Sequence, residues 1–103
     1  MKIIKILSEK IEEEINDAKS YVKMALEYKD EYPEMSRTLY SISLQEMEHM
    51  NLLHGEVTGL IKRYRDTKGE PPAEMLAVYD YLHKQQIDKA AEVKVLQTMY
   101  KES

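Results

Sequence analysis

Helix-breaking residues are scarce in this chain and concentrate at two points. Pro33 marks the first point, and the segment from Gly69 to Pro72, with a glycine and two prolines, marks the second. Between these points the apolar residues recur at helical spacing, which predicts three long helices and an all-α protein. We expect these helices over about residues 3–29, 34–66 and 72–101. The first connection is so short that helices one and two should form an antiparallel hairpin.

The chain has 103 residues, which predicts a single domain over residues 1–103. A chain of this size buries only about two thirds of the surface that it exposes when unfolded, so its core should be thin. The third predicted helix carries apolar residues around most of its circumference, as helices with several neighbours do. We therefore expect a homo-oligomer in which this helix contributes to the interface.

Composition excludes several classes of function. The chain lacks cysteine, which excludes disulfides, thiolate metal sites and a rubredoxin-type iron centre. A net charge of −4, with no basic stripe, predicts no nucleic-acid partner. No apolar run approaches the roughly 18 residues of a membrane span, and no secretory signal is recognisable at the start. The expected location is the cytoplasm.

Two stripes of inward-facing residues are predicted on the first two helices, and each includes residues that can bind metal. The first stripe is Leu7, Ile11, Glu14, Ala18, Tyr21 and Ala25, and the second is Met35, Leu39, Ile42, Glu46, His49 and Leu53. Burying an ionised carboxylate costs on the order of several kcal/mol unless a cation or hydrogen bonds compensate the charge. If the hairpin turns near Asp30, then Glu14, Glu46 and His49 lie at one level. A bound metal ion is the simplest explanation for them.

One chain supplies too few ligands for two metal ions. Two copies related by a twofold axis would supply four carboxylates and two imidazoles. This is the ligand set of di-iron and di-manganese helical bundles, in which two helices each give a Glu and two each give a Glu-x-x-His pair.

The residues around these ligands resemble a known family. The segment Glu14–Tyr21 is similar to the E-x-x-D-A-x-x-Y pattern of rubrerythrins and bacterial ferritins, and Gln45–His49 contains their E-x-x-H pattern. The resemblance covers about residues 10–62. A full-length family member repeats the motif in its later helices, whereas the third helix here has Gln86 and Val93 in place of Glu and Tyr.

This resemblance implies a half-length ferritin-like protein whose four-helix bundle is completed by dimerisation. Half-length relatives, such as the ferritin-like cargo proteins of encapsulin compartments, form their iron site between subunits. The resemblance therefore leaves a location inside such a protein compartment as an alternative. By resemblance, Glu14, Glu46 and His49 would bind two iron ions per dimer site, with Glu46 bridging the metals. Tyr21 would be the redox-adjacent tyrosine, assigned as the catalytic residue.

The implied reaction is the oxidation of ferrous iron by dioxygen or peroxide, that is, a ferroxidase activity. The sequence leaves open whether iron or manganese is bound, because both accept this ligand set. It also leaves open whether the role is iron storage or oxidant defence. Without cysteine, a complete peroxidase would need an external electron donor.

Two alternatives remain at this point. The chain could be a non-catalytic module for helical homo-oligomerisation, with a buried polar layer that specifies pairing. The third helix could supply ligands through Asp88 or Glu92. His54 and His83 have no spacing that suggests a shared site, so we expect them to be surface or interface residues.

Overall fold

The computed structural model describes residues 2–103, which form three α-helices and no strand. The helices are α1 (Lys2–Glu27), α2 (Pro33–Lys68) and α3 (Ala73–Glu102). The prediction of an all-α protein is confirmed. The observed helix ends lie within about two residues of the expected ones, a difference that is usual for helix termini. Across residues 2–103, no helix combines the length and the apolar character that crossing a membrane requires.

The two helix breaks in the sequence coincide with the two connections. Pro33 is the first residue of α2, a position where its fixed φ suits the helix and its missing N–H is not needed. Gly69 follows the last residue of α2 with a φ of +86°, and its N–H donates to the carbonyl of Arg65 at 3.2 Å. A side chain would be strained at that φ, so this glycine allows the helix to end.

The buried face of α1 is rotated slightly from the predicted stripe. It consists of Ile4, Ser8, Ile11, Ile15, Ala18, Val22 and Ala25. Ile11, Ala18 and Ala25 belong to both sets. Glu14 and Tyr21 are instead half-buried along one edge of this face, so the side of α1 that carries the predicted ligand Glu14 borders the core without lying inside it.

The predicted stripe on α2 is not the one that the chain buries. The buried residues are Ser36, Ser43, Val57 and Ile61, whereas Met35 is 42% exposed. The physical reason is that serine can be buried when its hydroxyl finds a backbone acceptor. The stripe with Glu46 and His49 therefore lies beside the buried face and remains partly open.

Two serine hydroxyls fix how α1 and α2 pair. Ser36 Oγ donates to the carbonyl of Ala25 at 2.6 Å, and Ser43 Oγ donates to the carbonyl of Ala18 at 2.7 Å. The two bonds are seven residues apart on each helix, as expected for one continuous antiparallel register. One turn further along the same register, Glu14 on α1 lies opposite Glu46 on α2, the first residue of the Glu-x-x-His pair.

Helix α3 packs mainly on the other side of α1. Lys19 Nζ lies 3.0 Å from the carboxylate of Glu92, and Lys89 pairs with Glu12. Buried amides add to this packing, since Gln86 Nε2 donates to the carbonyl of Ser8 at 3.1 Å. Around the circumference of α3, several large apolar residues remain more than half exposed. These are Val78, Tyr81, Ile87, Val95 and Met99.

Candidate metal centre

The structure brings together the three predicted ligand residues Glu14, Glu46 and His49. One ligand atom from each can be chosen so that all three lie within 4.8 Å of one another. His49 Nδ1 is 3.6 Å from Glu14 Oε2 and 4.0 Å from Glu46 Oε1. Residues that are 35 positions apart in the chain therefore meet because of the hairpin.

This group lies in the groove between α1 and α2, on the side away from α3. Glu12, which pairs with α3, is about 200° from Glu14 around the axis of α1. The side chains of Glu14 and Glu46 are only 24% and 19% exposed, whereas that of His49 is 55% exposed. The carboxylates thus form the floor of the site and the imidazole forms its open edge.

The two carboxyl groups disturb each other because they are shielded from water. The pKa of Glu46 is raised from 4.5 to about 7, first because its protonated form shares a hydrogen bond with Glu14, then because burial disfavours its charge. The negative charge of Glu14 raises this pKa further, while His49 opposes the shift. Near neutral pH, Glu46 therefore holds a proton more often than a free carboxyl group does.

Glu14 has a buried oxygen that lacks a donor. With both carboxylates ionised, each group only accepts hydrogen bonds, and within residues 2–103 Glu14 Oε2 is buried without a hydrogen-bond partner. A buried acceptor in this state is unfavourable unless a proton or a cation reaches it. A metal ion at this position would satisfy Glu14 Oε2 and remove the repulsion between the carboxylates.

The donor set fits a transition-metal cation. Two carboxylate oxygens and one imidazole nitrogen are the ligands that iron and manganese accept in helical bundles. Three protein ligands from one chain also leave several coordination positions open. The residues present therefore fit a metal ion, and they suit one that still needs further ligands.

Local packing explains why these side chains are held in place. On α1, Glu14 lies among Ile11, Ile15 and Ala18, which are almost completely buried. On α2, the hydrogen bond from Ser43 to Ala18 lies within about one turn of both glutamates. The two helices are therefore joined by a hydrogen bond below the site, even though the site itself is open.

The other residues singled out from the sequence lie outside this group. Tyr21 is half-buried on the same side of α1, about 10.5 Å along the axis from Glu14. In the described chain Tyr21 makes no hydrogen bond to the three ligand residues. Glu92 pairs with Lys19 and Asp88 is exposed, so within residues 2–103 no residue of α3 joins the group.

One pair of residues was missed by sequence reasoning. His54 on α2 and His83 on α3 have their Nε2 atoms 2.8 Å apart and their rings stacked at 4.6 Å. Burial, and then the neighbouring His83, lower the pKa of His54. No local spacing signals this pair, because the two residues are 29 positions apart and meet only through the packing of α3.

Comparison of the chain with models of known protein families, with curated proteins and with solved structures finds no match.

Proposed function

We propose that two copies of this chain bring two Glu14–Glu46–His49 groups together and that the completed site oxidises ferrous iron with dioxygen or peroxide. The observation that carries this proposal is the arrangement of the three ligand atoms within 4.8 Å, next to a buried glutamate oxygen without a donor. The similarity of the surrounding motifs to rubrerythrins and bacterial ferritins supports the same function.

The open position of the group supports a site shared between copies. A second copy about a twofold axis would raise the ligand set to four carboxylates and two imidazoles, enough for two ions. Apolar side chains continue along the same helix faces above and below the group, as an interface would require. These are Ile3, Leu7, Met35, Ile42 and Leu53.

The chemistry follows from holding two ferrous ions as substrates in one site. Each Fe²⁺ gives up one electron, so a pair supplies the two electrons that reduce dioxygen, with two protons, to hydrogen peroxide. With peroxide as the oxidant, the same two electrons and two protons yield water. The chain's part is to bind the ions through Glu14, Glu46 and His49, and to release the proton that Glu46 shares with Glu14 when a cation arrives.

The test is aerobic iron oxidation by matched variants. Ferrous iron is added to the parent protein, to Glu46→Gln and to Glu48→Gln, and ferric absorbance in the near ultraviolet is followed together with bound metal. Glu48 is exposed on the same helix, so its substitution controls for the loss of one negative charge. We expect two ions per dimer and accelerated oxidation in the parent and in Glu48→Gln, and neither in Glu46→Gln. A parent protein that neither takes up iron nor accelerates oxidation would refute the proposal.

A second candidate function is a non-catalytic module for homo-oligomerisation. The observation that favours it is the exposed apolar side of α3, where Tyr81 and Val95 are 63% and 59% exposed. Such residues on one face are typical of a surface that binds another protein. The iron experiment separates the two functions, because this module would associate without taking up metal.

A further inference from the structure

The His54–His83 pair lies apart from the carboxylate group and has its own chemistry. We propose that these two residues form a second metal site, in which their Nε2 atoms bind one late first-row divalent ion, Cu²⁺ or Ni²⁺. The proposal does not depend on the iron site. His49 and His54 are about 140° apart around the axis of α2, so the two sites are on different sides of that helix.

The spacing of the two nitrogens suits coordination to one ion. Metal–imidazole bonds are about 2.0–2.1 Å long, so two nitrogens at neighbouring corners of a square or octahedron are about 2.9 Å apart. His54 Nε2 and His83 Nε2 are 2.8 Å apart and share an N–H···N hydrogen bond, so an ion binds both atoms once the shared proton has moved to an Nδ1 atom or to solvent. The χ2 torsion of histidine is broad, so a small ring rotation can direct both lone pairs to the same point.

The surroundings of the pair select the kind of ion. The two imidazoles line a cavity of about 180 Å³ between α2 and α3, together with Asn51 and Gln86 as the other polar residues. The remaining lining residues are apolar, and within the described chain none is a carboxylate. Imidazole suits copper, nickel and zinc, whereas magnesium, calcium and manganese prefer carboxylate oxygens. This cavity therefore favours the late transition ions over the ions expected at Glu14 and Glu46.

The two rings are already held together without a metal. The ring of Tyr79 stacks on His83 with centroids 5.5 Å apart and planes within 8°. Both histidines are half-buried, so their side chains have lost part of their freedom before an ion arrives. Preorganised ligands bind with less loss of entropy, and the bound ion would link α3 to α2.

The experiment uses Cu²⁺, because its electron paramagnetic resonance reports how many imidazole nitrogens bind. The chain has only three histidines, so His49→Asn removes the single nitrogen ligand of the other site and leaves only this pair. His49 has an exposed side chain, 55% accessible, and its replacement should not disturb folding. Glycine is added as a weak competitor to suppress binding at the N-terminus and at surface carboxylates.

We expect His49→Asn to bind one Cu²⁺ per chain with the signature of two imidazole nitrogens. Adding His83→Asn or His54→Asn should lower the affinity roughly a hundredfold, because the second ligand no longer binds within the same molecule. Far-ultraviolet circular dichroism checks that each variant is folded. A His49→Asn protein without imidazole-bound Cu²⁺ would overturn the proposal, as would unchanged affinity in both folded double variants. Because the iron site is disabled in this background, either result leaves the proposed iron oxidation untouched.

Discussion

Ser43 Oγ donates to the carbonyl of Ala18 at 2.7 Å and accepts a hydrogen bond from Gln97 Nε2 at 3.0 Å. One fully buried hydroxyl thus links all three helices. Its position on α2, one turn before Glu46, means that the same contact sets the level at which Glu14 and Glu46 meet. The polar residue in the core is therefore part of what builds the candidate site.

Replacing Ser43 with alanine should destabilise the protein by about 1–2 kcal/mol. The substitution leaves the buried Nε2 of Gln97 without this acceptor, and an unsatisfied buried donor costs about that much. Urea unfolding followed by circular dichroism measures the change. Ser41→Ala is the matched control, because Ser41 is exposed on the same helix and its loss should change stability by less than about 0.5 kcal/mol. Equal stability of the two variants would contradict the assigned role of Ser43.

The raised pKa of Glu46 predicts a pH dependence of the metal-free protein. Its pKa is about 7 when folded and 4.5 in the reference state, so between these values the folded protein holds a proton that the unfolded chain has lost. The free energy of unfolding should therefore fall as pH rises from about 4.5 to about 7. We expect Glu46 to change the free energy of unfolding by on the order of 1–2 kcal/mol over this range. A shift of one pKa unit corresponds to about 1.4 kcal/mol, and solvent screens part of the interaction.

Glu14→Gln isolates this contribution, because the neutral amide can donate to Glu46 without repelling it. Urea unfolding in the presence of a chelator should show a weaker fall with pH in this variant than in the parent. At pH 7.5, Glu14→Gln should even be the more stable of the two proteins. Parallel pH profiles for both proteins would show that the two carboxyl groups are not coupled.

Metal binding should have the opposite pH dependence. A cation at Glu14 and Glu46 displaces the proton that Glu46 holds below about pH 7, so affinity should rise with pH and level off above that value. Mn²⁺ is a suitable probe because it remains divalent in air during a titration. Calorimetry at pH 6 and pH 7.5 should show up to about tenfold weaker binding at the lower pH. Affinity that is independent of pH over this range would place the ion elsewhere.

The sequence predicted the hairpin and the meeting of Glu14, Glu46 and His49 because both depend on local periodicity. Prolines fix where the helices start and end, and the antiparallel register then determines that Glu14 faces the Glu46–His49 pair. What the periodicity could not reveal is which of two neighbouring stripes α2 buries. Ser36 and Ser43 are polar in the sequence, and they become core residues only because Ala25 and Ala18 offer carbonyl acceptors.

Helix α3 shows more clearly what the sequence alone could not predict. Its apolar residues cover most of the circumference, so no single face could be assigned to the core. The structure orients it through isolated long-range contacts, such as Gln86 with Ser8 and His83 with His54. Contacts of this kind join residues 29 or more positions apart, and only a full three-dimensional packing identifies them.

Tyr21→Phe should separate binding from oxidation. The hydroxyl of Tyr21 is not bonded to Glu14, Glu46 or His49 within residues 2–103, so its removal should leave the amount of bound Mn²⁺ unchanged. If Tyr21 is redox-active beside the iron site, sustained oxidation of ferrous iron should slow several-fold. The matched control is Tyr28→Phe. Tyr28 is also half-buried and lies seven residues after Tyr21, just beyond the end of α1. Equal oxidation rates in both variants would remove Tyr21 from the catalytic role.

The solution mass of the protein should depend on metal, because one chain holds only half of the proposed ligand set. Adding Mn²⁺ should shift the parent towards a dimer or a larger even-numbered assembly, as measured by sedimentation velocity. Met35→Glu, which introduces charge next to the open groove where Met35 is 42% exposed, should prevent this shift. Val95→Glu makes the same chemical change on the outer side of α3, where Val95 is 59% exposed. If metal-dependent association were lost in Val95→Glu but retained in Met35→Glu, the interface would lie on α3 and not at the groove between α1 and α2. The proposal of a metal site shared between two copies would then be wrong.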